Sequence, residues 1–169
     1  MKRKNKIILI VTGVFILIQF FPPAKNKSDK ITSSDISKMY NISDDMHSIF
    51  SKACNDCHSN NTRYPWYAYV QPAGWWLSND ITEGKQNLNF SEFGKYSIAK
   101  QYKRLDDIIN EVKHGDMPLK SYSLIHTDAR LTNAEKGKIF VWCDSVRNFI
   151  KAKYPADSLL LKKESSPQR

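Results

Sequence analysis

Cys54-Asn55-Asp56-Cys57-His58 decides how this chain reads. Two cysteines three positions apart, with a histidine directly after them, form the pattern of a c-type haem attachment site. Thiols at that spacing can bond two vinyl groups along one edge of a single macrocycle. The histidine then offers its imidazole to the iron from one face. A disulfide, half of a zinc site and chance are the competing readings. A zinc site needs a second ligand pair at similar spacing, and the third cysteine, Cys143, stands alone. The expected cofactor is therefore one covalently bound haem c, attached at Cys54 and Cys57, with His58 as a metal ligand.

Working outward, Ser43 is a good N-cap before the acids Asp44 and Asp45. Met46, Ile49, Phe50 and Ala53 recur at helical spacing. This predicts a helix over about 44–56 that delivers the motif, with His47 a surface residue on it. Aromatic side chains crowd the next stretch, Tyr64-Pro65-Trp66-Tyr67-Ala68-Tyr69 and Trp75-Trp76. They are expected to bury apolar area in a core that merges with a haem pocket. Arg63 is either a partner for a haem propionate or a solvated cation. A second helix is predicted over 73–84 with Gly84 ending it, then a loop that turns Phe90 and Phe93 inward.

Ile98, Tyr102, Leu105, Ile109 and Val112 mark an amphipathic helix over about 96–113, stopped by Gly115. Met117 follows on a loop before Pro118. A thioether is a soft neutral ligand suited to haem iron, and His/Met ligation raises the potential. Met117 is thus the candidate second axial ligand and metal-binding residue. His114 is its nearest rival, with Met39, Met46, His126 and an open iron position behind. Thr132 and Glu135 fit a capping box for a last helix over 133–153. Its apolar face would be Ile139, Trp142, Cys143, Val146, Phe149 and Ile150, with Cys143 a buried free thiol.

The chain carries a formal net charge of +9 over 169 residues. That basicity sits at the ends: Lys2, Arg3, Lys4 and Lys6 open the chain, while residues 31–150 hold 14 Lys/Arg and 14 Asp/Glu. The footprint of a nucleic-acid-binding face is missing. Ile7 to Phe21 is almost wholly apolar and ends at Pro22-Pro23. A basic start followed by an apolar run is the layout of an export signal. Its 15 residues reach about 22 Å, short of a bilayer core of roughly 30 Å, yet no small-residue cleavage site follows. Residues 1–23 read as a signal peptide or an uncleaved membrane anchor, 24–34 as a linker, 35–154 as the haem-binding domain and 155–169 as a flexible tail. The expected location is the periplasm, with anchoring in the inner membrane through residues 7–21 if they are retained.

The order of helix, CxxCH, aromatic segment, helix, methionine loop and C-terminal helix resembles the class I cytochrome c plan. More specifically, the chain over about 35–153 resembles the bacterial haem-binding-domain family of exported single-haem c-type cytochromes. The resemblance rests on Cys54 to Asn60, on Thr62 to Tyr67, on Gly84-Lys85 with Leu88-Asn89-Phe90-Ser91, and on Met117-Pro118-Leu119 followed by His126 and Trp142. It implies an all-α, cytochrome c-like domain around one covalent haem, here preceded by a single N-terminal hydrophobic helix. Electron transfer to an unknown envelope partner is the implied role. Family members often carry a histidine just before the isoleucine matching Ile81; this chain has Asp80 there, which shifts weight to Met117. The expectation is an electron carrier rather than an enzyme. The alternatives are a peroxidase-like haem enzyme using His114 or His126 beside an open iron, and a haem-based sensor.

Overall fold

The computed structural model describes residues 2–28 and 30–161. It is all-helical, with no strand among the described residues. Eight α-helices are α1 (Arg3–Ile18), α2 (Ile36–Met39), α3 (Asp44–Ala53), α4 (Asn55–His58), α5 (Ala73–Asn87), α6 (Ile98–His114), α7 (Lys120–Ile125) and α8 (Asn133–Lys153). Short 3-10 turns cover Trp66–Tyr69, Phe90–Lys95, Thr127–Ala129 and Ala156–Leu159. The expected tail from Lys162 to Arg169 lies outside the described residues.

The chain divides into two compact units. The first joins Met1–Asp29 to Asp56–Asn89, and the second joins Lys30–Asn55 to Phe90–Arg169. The division falls inside the cysteine motif, between Asn55 and Asp56.

In the first unit, α5 buries Leu77 and Ile81 against Ala68 of the 3-10 turn, with Cys57, Tyr64 and Tyr67 packed on that cluster. Gly84 does not end α5, which runs three residues further; a side chain there would run into a neighbouring backbone, as described below. In α1 the apolar side chains from Ile7 to Leu17 stay exposed, and among the described residues no helix is long and apolar enough to cross a membrane.

In the second unit, α6 packs along α8, with Leu105 and Ile139 wholly excluded from solvent. The caps follow from sequence. Ser43 accepts from the Met46 N–H, Ser97 from the Lys100 N–H, and Thr132 and Glu135 form the reciprocal capping box. Gly115 takes φ +81°, a left-handed conformation that glycine adopts without a Cβ penalty, and so closes α6. Phe50 of α3 stacks on Phe90 at 5.1 Å and meets Trp142 of α8 edge-on at 5.3 Å. Lys52 of α3 pairs with Glu135 of α8 at 2.6 Å.

Two further expectations needed correction here. The helix predicted over 44–56 is broken: α3 ends at Ala53, Cys54 leaves the helical region at φ −129°, and α4 restarts at Asn55. Asn55 and Asp56 favour caps over helix interiors, which suits a break there. Phe149, assigned to the apolar face of α8, is half exposed and meets Tyr40 edge-on. Gln101, on the inward side of α6, is buried because its amide accepts from the Tyr40 hydroxyl at 2.8 Å and donates to the Tyr96 carbonyl at 2.9 Å.

Candidate haem-attachment site

Cys54 belongs to the second unit, where its N–H closes α3 onto the Phe50 carbonyl at 2.9 Å. Cys57 and His58 belong to the first unit. Burial, then the charges of Asp56 and Asp80, push the Cys57 thiol up to about 12, so it is neutral at physiological pH.

His58 is the most informative side chain. Its Nδ1 lies 3.0 Å from the Gly84 carbonyl and 2.9 Å from the Leu88 carbonyl, both at the end of α5. A carbonyl oxygen only accepts, so Nδ1 carries the proton and Nε2 carries the lone pair. Burial holds the imidazole below its ordinary pKa, opposed by those two hydrogen bonds. A neutral histidine whose other nitrogen is fixed by a backbone carbonyl is the arrangement that metal-ligating histidines use.

That geometry depends on a close approach. A Cβ on Gly84 would stand 2.8 Å from the Cys57 carbonyl oxygen and 3.2 Å from the Cys57 Cβ. Only glycine lets α5 lie this near the backbone of the motif.

Asp56, the second variable residue of the motif, is buried and organises the loop after it. Its carboxylate accepts from the Arg63 backbone N–H at 3.0 Å and from the Arg63 guanidinium at 3.2 and 3.3 Å. Its carbonyl accepts from the Thr62 hydroxyl at 2.6 Å. Arg63 is thus engaged with Asp56, while its side chain stays 60% exposed. Sequence reasoning missed Asp56 as a partner. The spacing Asp56-Thr62-Arg63 was a readable hint, since an arginine seven residues from a carboxylate across a polar turn can fold back on it.

Asn26 was missed altogether, because it lies in a lysine-rich stretch without pattern. Its backbone N–H donates to the Tyr64 hydroxyl at 2.6 Å. Its carboxamide donates to the Ser59 carbonyl at 2.8 Å and the Thr62 hydroxyl at 2.9 Å, and accepts from Lys85 Nζ at 2.5 Å. The loop following His58 is laced to α5 through this residue.

Asp80 sits on the Cys57 side of α5, with its carboxyl raised by burial and by Glu83, opposed by a hydrogen bond with Trp76. Burial, and next the charge of Cys57, raise the Tyr67 phenol.

The remaining candidates all lie in the second unit. Met117 is half-buried on the turn after α6, where its N–H donates to the Glu111 carbonyl at 3.2 Å and its bond to Pro118 is cis. His114 is exposed and donates from Nδ1 to the Asn110 carbonyl at 2.8 Å. His126 stacks on Tyr122 at 4.3 Å. Met46 is buried in the core, Met39 is partly exposed and His47 is exposed. Cys143 is fully buried, and burial, ahead of Asp144 and Cys54, pushes its thiol up. Among the described residues no group of three His, Cys, Asp or Glu side chains could hold a bare metal ion.

A family described as a haem-binding domain matches residues 13–145. No curated protein and no solved structure matches the chain.

Proposed function

Since this chain belongs to the haem-binding-domain family, we propose that it is a single-haem c-type cytochrome that carries electrons in the cell envelope. The observation that carries the proposal is the tautomer of His58. Its proton is committed to the carbonyls of Gly84 and Leu88, which leaves Nε2 as the donor to iron. Cys54 and Cys57 would hold the macrocycle as thioethers.

The residues present fit this group. They offer two thiols at the attachment spacing, an oriented imidazole and an aromatic, apolar surround from Tyr64 and Tyr67. When bound, haem supplies one-electron exchange at its iron. The chain holds and tunes it. Buried His58 would offer Nε2 to the iron, and the Asp56–Arg63 pair fixes the turn after it. Met117 is the proposed second axial ligand, supported by the softness of its thioether and by its place on a tight turn. On this reading the protein acts as an electron carrier. Its place is the periplasmic side of the inner membrane, as the basic start and the apolar run favour.

The test is intact mass with a redox titration of the purified protein, beside Cys57→Ser and Met117→Ala. One haem mass should remain bound after denaturation and be reduced in yield in the cysteine variant. The potential should fall in Met117→Ala, with loss of the far-red ferric thioether band. Haem released by denaturation sinks covalent attachment. An unchanged spectrum in Met117→Ala, with rapid carbon monoxide binding by the reduced wild type, sinks the closed ligation and turns the reading to an open-iron protein.

A further inference from the structure

The residues just after α1 are built into the first unit. Gln19 Nε2 donates to the Gln71 carbonyl at 3.1 Å, and the Gln71 N–H donates back to Gln19 Oε1 at 2.9 Å. The Trp75 indole donates to the Phe21 carbonyl at 2.7 Å. Lys25 lies over the Tyr69 ring at 3.5 Å, and Asn26 makes the bonds described above. The family match also begins at residue 13, inside α1. So α1 leads without slack into the unit that holds His58.

Two surfaces of this unit are apolar and open. One is α1 itself, whose residues from Ile7 to Leu17 are exposed on every side. The other is an aromatic rim where α1 ends: Phe20, Phe21, Tyr69, Val70 and Trp75. We propose that both are covered by a phospholipid bilayer, so that the domain is seated directly on lipid with this rim in the headgroup zone.

Three observations select lipid over a protein partner. A helix apolar all round needs apolar surroundings on all sides, whereas a protein groove covers one stripe. Charge is confined to the far end of α1, at Lys2, Arg3, Lys4 and Lys6, where long basic side chains reach headgroups. The rim at the near end is made of Trp, Tyr and Phe, the composition of a membrane interface. Length supplies the reason for the rim. The twelve helical residues from Ile7 to Ile18 reach only about 18 Å, less than a hydrocarbon core of roughly 30 Å. A short apolar stretch is accommodated by drawing its flanking residues into the interface, and the flanking residues here are pinned to the domain. Trp76 is left out of the rim because its indole serves Asp80 on the Cys57 side of α5.

The experiment uses the full-chain holoprotein in phosphatidylcholine–phosphatidylglycerol vesicles. Benzoylphenylalanine replaces Tyr69, Val70 or Phe20 in turn, and intact mass is read after irradiation. An adduct of one phospholipid at Tyr69 or Val70, on a chain that still begins before Gln19, is the expected result. Adducts at Phe20 alone mean that the domain stands off the membrane and overturn the proposal. So do crosslinks to protein alone, or a mature chain cut between Gln19 and Asn26 in the wild type. Haem mass in the same spectra reports separately on the proposed function, so the two readings fail independently.

Discussion

Replacing Gly84 by alanine should destabilise the protein relative to the same replacement at Gly137. Both glycines lie inside helices, α5 and α8. Helix propensity alone favours alanine by about 1 kcal/mol at each. The surroundings differ. A Cβ at 137 meets nothing within 4 Å, while one at 84 meets the Cys57 carbonyl oxygen at 2.8 Å, its Cβ at 3.2 Å and its carbonyl carbon at 3.3 Å. These are backbone and near-backbone atoms, which cannot swing aside as the end of a long side chain would. Overpacking of this kind costs about 1–3 kcal/mol. Gly137→Ala should therefore gain about 1 kcal/mol, and Gly84→Ala should end between roughly neutral and a loss of about 2 kcal/mol. For a chain of this size each kcal/mol moves the Tm by about 2–4 °C, so the pair separates clearly in thermal denaturation followed by helical circular dichroism. The Gly84 carbonyl also holds His58, so Gly84→Ala should lower the yield of haem-loaded protein as well. Equal stabilisation by the two substitutions would refute the close approach of α5 to the motif.

Leu105→Ala, at a site wholly excluded from solvent between α6 and α8, should cost about 2–5 kcal/mol in urea denaturation. Thr132→Ala removes the cap of α8 and should cost about 1 kcal/mol in the same assay. Glu135 is held below its usual carboxyl pKa, chiefly by Lys52 and then by Thr132. Its contribution is thus present above the unfolded value and is lost as the pH falls through the folded one. A Tm–pH curve for Lys52→Ala should show a smaller acid-side loss than wild type; an identical slope would remove Lys52 as the cause.

Much of the second unit was legible in the sequence because its signals are local. Ser43, Gly115 and the Thr132–Glu135 box announce helix ends by side chain or backbone preference, and the α8 bounds were read to the residue. The first unit was harder. Gly84 looked like a helix stop because glycine often is one, and its true reason is a neighbour 27 positions away in the chain. The two carbonyls on His58 have no side-chain signature at all. Asn26 draws its partners from residues 59–64 and 85, which no window of local sequence brings together. The motif suggested the chemistry proposed for Cys54, Cys57 and His58, but the imidazole's tautomer came only from the fold.

That tautomer also has an electronic side. The carbonyls of Gly84 and Leu88 lie at the negative end of α5. They draw the Nδ1 proton outward, which leaves charge on the ring and makes Nε2 a stronger donor. On the proposed ligation, His58 would push electron density toward the metal and favour its oxidised form, while the Met117 thioether, if it ligates, would favour the reduced form. On the proposed reading, where α5 stops, and at what distance from the imidazole, would help to set the driving force for electron exchange, adjustable by shifting a helix terminus without changing either proposed ligand.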